Sequence, residues 1–585
     1  MLGKSLRRIY HACWYLFAAV VLTSAVVITL VRLLLPHVGE YRETLQKIIS
    51  KQAGYTVTID SIQGEWEGWV PTLYLHGLHI ATGSGAGDIT RLQSATIRFD
   101  PFSSFREGQV TPFHLTITGS ELTVIRGGDG SLHIATEKTN TMVPGPEITN
   151  TAFTDWLLLQ RIITISGATV RFLDASREFN PVVLTDVDLL LKNSTSHLQL
   201  NGSVTLPLEY GEKCSFALDI YGDISTPDWS GQMYLDGRRL VPDSWLPHLD
   251  DKASLKVTGA PVDIRLWSSW QKARLIRING MFEAAGVRLA HGPSHLDIRH
   301  VTSFFAMTRD TENGLRLKLK LKELRTGNGD WPETEISITS RPREGGNHTR
   351  YTLHSNYLNI RDLFALAGDR MISGNPVFSG DTDFNGSLLD CVIVYDPVLP
   401  PPEQFAIDGR FQGINVKNDL QNLHIRQLQG SLTGTAGYGM LRLDTPTAEM
   451  TLPGMLNDTY TFHELQGDVH WSSANGTLRI DTAQLQAHTP HFNAQLQGSI
   501  LFSAGQNLTF ADLLFSVGEL DLENLQYYLP LVVPERTRAW IRHALVAGDA
   551  SRVDMVLRGE LADFPFDNNE GRFAVIAEMH NGTLD

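Results

Sequence analysis

The feature that most constrains the fold is a period of two in the apolar residues, which returns along most of the chain. In the clearest run, residues 315–321, every leucine is separated from the next by an arginine or a lysine. Successive side chains of a β-strand point to opposite faces of the sheet, so this pattern predicts a strand with one apolar and one solvated face. A mainly β fold built from antiparallel sheet is therefore expected.

Several of these strands carry a glycine on their apolar side. The two clearest examples are Leu198, Leu200, Val204 and Leu206 around Gly202, and Val553, Met555 and Leu557 around Gly559. Glycine within a strand permits a bulge, a tight bend or the close approach of a ligand. Seven Asn-Gly dipeptides, among them Asn201-Gly202 and Asn279-Gly280, predict further turns or bulges.

The pattern does not decide what covers the apolar face. Helical signals are few, at residues 40–52, 155–160, 360–366 and 535–546. A second sheet could cover the face and form a β-sandwich, or the sheet could curl on itself and leave an apolar groove. Both arrangements satisfy the same alternation.

The N-terminal region predicts a single membrane-spanning signal anchor. Residues 12–31 contain no charged residue, and as an α-helix they would span about 30 Å, the hydrocarbon thickness of a bilayer. The residues that mark its ends are Arg7, Arg8, Trp14, Tyr15 and Arg32. The positive-inside rule then assigns residues 1–11 to the cytoplasm and everything after the 12–35 segment to the far side. A cleaved signal peptide is the alternative, although its apolar run is usually only about 7 to 15 residues.

Composition excludes several functional classes. The formal charge of −15 disfavours nucleic-acid binding, which depends on clustered lysine and arginine. Cys13, Cys214 and Cys391 form no CxxC motif and no even-numbered framework, so that only a single bridge between Cys214 and Cys391 remains as a disulfide.

Signatures of catalysis and metal binding are also missing from the sequence. It contains no HExxH, GxSxG or Walker A motif and no GxGxxG that opens a helix after a strand, so we expect neither an enzyme nor a bound metal or cofactor. The segment 64–71, GEWEGWVP, is predicted to cap the end of a β core, with contact to a membrane surface as the alternative.

Three segments resemble the AsmA-like proteins of Gram-negative envelopes. They are YTVTIDSIQGEWEGWVPTLYLHGLHI, the hairpin LTVIRGGDGSLHI, and PERTRAWIRHALVAGDASRVDMVLRGELADFPF followed by GRFAVIAEMHNGTLD. The last is similar to a large member of that family anchored in the inner membrane, and the resemblance extends over essentially the whole chain. Such chains continue further, so residues 1–585 are expected to form an N-terminal portion.

The resemblance implies a fold and a function. It implies an elongated, curled antiparallel β-sheet with an apolar groove, projecting from the inner membrane into the periplasm, which carries phospholipid toward the outer membrane and supports its permeability barrier. The domains would be an AsmA-like module at 36–136, a linker at 137–150 and a β-groove region at 151–585.

The groove would be lined by the apolar residues of three runs. These candidate lining residues are Leu198, Leu200, Val204, Leu206, Leu315, Leu317, Leu319, Leu321, Val553, Met555 and Leu557. Phospholipid and the inner membrane would be its partners, together with outer-membrane or periplasmic proteins. The main alternative is a periplasmic scaffold of β-sandwiches that takes part in envelope assembly, and a less favoured one is an envelope hydrolase.

Overall fold

The computed structural model describes most of the chain. The described residues are 2–53, 56–81, 88–100, 112–126, 132–135, 160–174, 181–194, 196–224, 226–249, 255–292, 294–309, 314–342, 348–367, 382–418, 423–451, 459–474, 476–503, 508–529, 531, 535–564, 566 and 568–584. They divide into two units: unit 1 is Met1–Trp245 with Pro261–Ile276, and unit 2 is Leu246–Ala260 with Arg277–Asp585.

The chain begins with a long helical segment. Helix α1 (Leu2–Leu34) passes into a 3₁₀ helix (Leu35–Tyr41) and then into α2 (Arg42–Ala53), with right-handed helical backbone at both junctions. Within the stretch Cys13–Lys47 an 18-residue window has a mean hydropathy of 2.4, so this helix is long and apolar enough to cross a membrane. The large apolar side chains described between Tyr10 and Leu34, such as Leu16, Leu22 and Leu30, are exposed, as expected of a helix whose surroundings are lipid.

Unit 1 contains an open sheet. Its strands are β1 (Thr56–Glu67), β2 (Val70–Ala81), β3 (Asp88–Phe99), β4 (Pro112–Arg126), β5 (Leu132–Ala135), β6 (Ile162–Asp174), β7 (Val182–Ser194), β8 (His197–Thr205), β9 (Lys213–Tyr221), β10 (Ser230–Leu240) and β12 (Val262–Gln271). Neighbours along the chain pair antiparallel, and β10 pairs with β12. Among the described pairings none joins β1 to β12.

One pairing in this sheet departs from the predicted antiparallel arrangement. Strands β4 and β6 run parallel, with the short β5 on the C-terminal half of β4. Parallel neighbours need a crossover of a dozen residues or more, and the chain between β5 and β6 is long enough to supply it. That connection, and with it the predicted linker at 137–150 and most of the predicted helix at 155–160, lies outside the described residues, so the domain boundaries stay predictions.

Unit 2 contains the remaining strands, all paired antiparallel. They are β11 (Leu255–Gly259), β13 (Arg274–His291), β14 (Ser294–Arg309), β15 (Leu315–Thr326), β16 (Gly329–Trp331), β17 (Thr334–Pro342), β18 (Thr349–Asn359), β19 (Thr382–Tyr395), β20 (Phe405–Asn418), β21 (Leu423–Thr435), β22 (Tyr438–Thr445), β23 (Ala448–Thr451), β24 (Thr459–Phe462), β25 (Glu464–Ala474), β26 (Thr477–His488), β27 (Asn493–Ser503), β28 (Leu508–Asp521), β29 (Leu545–Glu560) and β30 (Arg572–Leu584). Within the described part of the chain no pairing returns from β30 to β13, so this sheet is open as well.

The other helices among the described residues are short. They are α3 (Pro242–Leu249), α4 (Ile360–Ala367), α5 (Glu535–Ala544) and the 3₁₀ helices Pro401–Glu403, Leu522–Tyr528 and Leu561–Asp563. The mainly β fold class, with an N-terminal apolar helix, an open sheet and few short helices, is confirmed. The predicted helix at 535–546 ends two residues early, because the chain from Leu545 onward pairs with β30.

The Asn-Gly dipeptides behave in more than one way. Asn328-Gly329 lies at the turn between β15 and β16, and Gly386 lies at a bulge between β19 and β20. The prediction is wrong for Asn201-Gly202 and Asn279-Gly280, where the strands keep an unbroken register through both residues. At Gly202 the reason is packing, since neighbouring side chains occupy the space above it.

Candidate functional site

The strand register of unit 1 aligns apolar residues into a row across the strands. Residues directly opposite each other on neighbouring strands share a face of the sheet, so the row can be followed from one pair to the next. From β1 to β12 it consists of Ile62, Leu75, Ala95, Ile117, Ile165, Leu189, Gly202, Phe216, Leu235 and Leu266. Every member is apolar or glycine, so this face of unit 1 is apolar across the strands.

Unit 2 contains a row of the same kind. From β13 to β29 it consists of Ile278, Met307, Leu317, Ile338, Leu353, Ile393, Ile407, Gly434, Gly439, Trp471, Ile480, Ile500, Ala511 and Gly559. We call the face that carries these rows the apolar face of each unit and the opposite face the polar face.

Glycines in the rows lie beneath aromatic rings. A Cβ at Gly202 would lie 2.5 Å from Phe216 Cζ, and a Cβ at Gly439 would lie 2.2 Å from Trp471 Cζ2. The indole of Trp471 is held in place because its Nε1–H donates to the carbonyl oxygen of Thr435 at 3.0 Å. Each ring therefore fills the space left by its glycine, and the row stays apolar where a strand contributes no side chain.

The apolar faces are only partly covered. In unit 2 every row member from Ile278 to Ile500 is half-buried, and in unit 1 the same holds from Ile117 to Leu266. The inner faces of a β-sandwich interdigitate into a close-packed core, which would bury such residues. No described element of either unit closes over these parts of the rows.

Short helices cover one edge of each face. In unit 1, Leu45 and Ile49 of α2 pack on the buried cluster of Ile59, Ile62 and Leu75. In unit 2, Leu363 and Phe364 of α4 pack on the cluster that contains Leu358, Leu388 and Phe411, and the 3₁₀ helix Leu522–Tyr528 covers the ends of β28 and β29. The faces are therefore closed along one edge and open away from it.

The polar face carries ion pairs between directly opposite residues. Lys320 Nζ lies 3.0 Å from a carboxylate oxygen of Glu335, and Arg442 pairs with Asp468 at 2.8 Å. The Asp468 carboxylate accepts hydrogen bonds from Arg442, which hold the pKa of that carboxyl below its usual range. All of these side chains are substantially exposed, so their contribution to stability is small and the face is solvated.

The predicted lining residues fall into two groups in the structure. Leu198, Leu200, Leu317, Leu319, Val553, Met555 and Leu557 are half-buried on the apolar faces, and Leu315 is 42 % exposed. Val204 and Leu206 are 8 % and 6 % exposed in a cluster with Tyr210, and Leu321 is 7 % exposed. The first group is accessible to a ligand, whereas the second is packed core.

Several residues of the rows were not predicted from the sequence. Phe216 lies on β9, where Cys214, Phe216, Leu218 and Ile220 alternate regularly, so the period of two could have indicated it. Ile407, Trp471 and Ile480 lie on strands whose alternation is interrupted by bulges. For Trp471 the signal is the glycine opposite, which becomes visible only when the register is known.

Metal-ligand side chains, the cysteines and the segment 64–71 are the remaining candidates from the sequence. The described residues hold no group of three His, Cys, Asp or Glu side chains suited to a metal ion. Cys214 and Cys391 are both free, and burial raises the pKa of the Cys391 thiol. In the segment 64–71, Trp66 is half-buried but Trp69 is 80 % exposed at a hairpin tip, so the predicted capping of a β core is wrong for Trp69.

These features define a class of protein: an apolar N-terminal helix able to cross a membrane, followed by open β-sheets that each present one apolar face. The whole chain, residues 1–585, matches the family described as YhdP protein, and it therefore belongs to the YhdP family. The AsmA-like resemblance, with YhdP as the large member in question, is thereby confirmed. No curated protein and no solved structure matches the chain.

Proposed function

We propose that this YhdP-family protein moves phospholipid from the inner membrane toward the outer membrane along its apolar faces. The observation that carries the proposal is the rows of half-buried apolar side chains, which run across the strands of each unit with no described element over them. Membership of the YhdP family and the membrane-length helix support the same conclusion.

The physical need for such a face follows from the hydrophobic effect. Exposing one CH₂ group of a lipid tail to water costs about 0.8 kcal/mol, so two long acyl chains cannot cross an aqueous compartment unshielded at a useful rate. Tails lying on leucine, isoleucine and valine avoid this cost, while the headgroup stays in water at the open edge. The transfer breaks no covalent bond, so the proposal requires no catalytic residue and no cofactor.

The location is part of the proposal. Arg7 and Arg8 before the apolar stretch favour a cytoplasmic N-terminus, and Trp14 and Tyr15 are of the types that anchor a helix at an interface. The sheets would then lie in the periplasm, where outer-membrane or periplasmic proteins would receive the lipid.

The test uses two double variants of strand β15 that differ only in the face they alter. Leu317→Asp with Leu319→Asp puts carboxylates on the apolar face, and a charge in contact with lipid tails costs about 3 kcal/mol. Arg316→Asp with Lys318→Asp puts carboxylates on the polar face of the same strand. The measurement is mass spectrometry of the phospholipid that each full-length chain retains after purification.

We expect the polar-face variant to retain as much phospholipid as the wild type and the apolar-face variant to lose most of the lipid that is not bound to the anchor. Because both variants keep α1, lipid around the membrane helix is the same in both. Equal retention by two folded variants would contradict the proposal and would favour the scaffold, in which the sheets bind envelope partners and no lipid.

A further inference from the structure

The β1–β2 hairpin ends in an exposed aromatic tip. Glu67 pairs with Val70, and Gly68 and Trp69 form the two-residue turn between them, with Gly68 in the left-handed region at φ 65°. Trp69 is 80 % exposed, more than any other described tryptophan. An indole is a large apolar surface with one polar N–H, and leaving it in water at a turn gains nothing for folding.

The position of this tip is fixed by contacts between β1 and the helical segment. Leu35 lies against Gly64, where a Cβ would come within 2.4 Å of the Leu35 carbonyl oxygen. Further along, the Arg42 guanidinium donates to the Asp60 carbonyl oxygen at 2.9 Å. The series continues in the same direction: Gln46 Nε2 donates to the Ile59 carbonyl oxygen, and Ser50 Oγ accepts from the Val57 N–H.

These contacts mean that the helical segment runs antiparallel alongside β1. Moving from Gly64 toward the hairpin tip is therefore moving toward α1 and the membrane. Trp69 lies five residues beyond Gly64, about 16 Å along an extended strand, whereas Arg32 precedes Leu35 by only about 4.5 Å of helix. The hairpin is thus long enough for its tip to reach the level of Arg32, the residue that ends the uncharged stretch and so marks the headgroup boundary.

We propose that the β1–β2 hairpin tip, centred on Trp69, inserts into the headgroup region of the membrane that α1 crosses, in the leaflet where α1 emerges. Tryptophan is the residue type most favoured at that depth, together with tyrosine. Gly68, Val70 and Pro71 add no charge to the tip. This inference rests on the anchoring by α1 and not on the transfer of lipid.

The acidic residue nearest the tip does not oppose this placement. Glu67 accepts hydrogen bonds from Tyr74 and Arg98, and the Arg98 guanidinium balances its charge. The carboxylate is therefore already partnered before the hairpin meets the headgroups. The hairpin gives unit 1 a second contact with the bilayer, which limits how freely the sheet can swing about the end of α1.

The experiment compares two single variants of the full-length chain in nanodiscs of phosphatidylethanolamine and phosphatidylglycerol brominated near the headgroup. Bromine quenches the emission of tryptophans that contact it. Trp69→Phe removes the indole that is proposed to insert. Trp267 is 47 % exposed on another strand of unit 1, so Trp267→Phe is the matched control. Both replacements keep an aromatic ring, so the fold is retained.

We expect Trp69→Phe to reduce the emission quenched by brominated lipid by about a third to a half, because Trp14 and Trp66 are the other tryptophans near the interface. Trp267→Phe should leave that quenched amplitude unchanged. The result is independent of lipid retention by the β15 variants. Equal quenched amplitudes in the wild type and Trp69→Phe, with the lost emission sensitive to aqueous iodide, would overturn the proposal.

Discussion

Gly202, on the apolar face of unit 1, leaves a space that larger neighbouring side chains fill. The space above Gly202 is occupied by the ring of Phe216 and by Leu189 Cδ2, which would lie 2.6 Å from a Cβ at that position. The backbone of Gly202 has an ordinary conformation, since its φ is not positive. Its role is therefore steric, and a side chain there would displace a member of the apolar row.

This packing predicts a cost for the smallest substitution. Gly202→Ala should destabilise the strands around β8 by about 1 to 3 kcal/mol, the usual cost of overpacking. Native-state hydrogen exchange of the β8 amides measures it. Gly518→Ala is the control, because a Cβ there meets only the Ser551 carbonyl oxygen at 3.8 Å. Equal protection in the two variants would show that the Phe216 ring has room to move.

Single residues were predicted well where the pattern is local. The alternation over 315–321 was sufficient to assign Leu317 and Leu319 to one face and Arg316 and Lys318 to the other. It did not separate Leu321, which is packed core, from Leu315, which is 42 % exposed. That difference depends on which strands and helices lie nearby, and such information comes from contacts distant in sequence.

At the scale of elements, α4 is attached to unit 2 by a buried carboxylate. Asp362 is 1 % exposed and accepts hydrogen bonds from Thr326 Oγ1 at 2.9 Å, Asn328 Nδ2 at 2.7 Å and Trp331 Nε1 at 2.6 Å. The three donors come from the β15–β16 hairpin. The carboxylate therefore ties the helix that covers one edge of the apolar face to the end of a strand in that face.

Asp362→Asn should release this attachment. The asparagine side chain would direct an N–H group toward the donors of Thr326, Asn328 and Trp331, which then lose an acceptor. We therefore expect α4 to lose about 1 to 3 kcal/mol of stability against local opening. Hydrogen exchange over Ile360–Ala367 reports the change. Asp383→Asn, which breaks the exposed ion pair of Asp383 with Arg361, should alter it by less than about 1 kcal/mol. A similar effect of both variants would mean that the apolar contacts of α4 hold the helix in place without the Asp362 carboxylate.

The sequence predicts the strands more readily than the bulges, where the alternation of apolar and polar residues shifts by one position. Between β14 and β15 the register shifts near Lys322, and the buried position moves from Leu321 to Leu324. The sequence carries this signal, because the leucine alternation breaks at Lys322-Glu323. The end of α5 carries no such signal, since the residues after Ala544 favour a helix as much as a strand and pairing with β30 decides between them.

At the scale of the whole molecule, the rows were beyond prediction from the sequence. A row is a property of register across many strand pairs, and each bulge changes which residue comes next. The family resemblance implied an apolar face, but only the pairings show that Gly434, Gly439 and Trp471 continue the line from Ile407 to Ile480. The face is thus specified by cooperation between strands distant in sequence.

If both units carry lipid, each apolar face should contact it at every point tested. A photo-crosslinking amino acid at Leu200 in unit 1, and at Leu317 and Leu557 in unit 2, should form phospholipid adducts in cells. The same group at the adjacent polar-face positions, Gln199, Lys318 and Arg558, should form few or none, because neighbouring residues of a strand point to opposite faces. Mass spectrometry of the purified chains measures the adducts.

The pattern of adducts separates a transfer path from isolated binding pockets. A path that uses both units requires adducts at all three apolar positions. Adducts at Leu317 alone would indicate a local pocket in unit 2, and adducts of equal yield at Leu317 and Lys318 would indicate unspecific contact with the membrane. Either result would contradict transfer along the apolar faces while leaving the anchor and the hairpin contact unaffected.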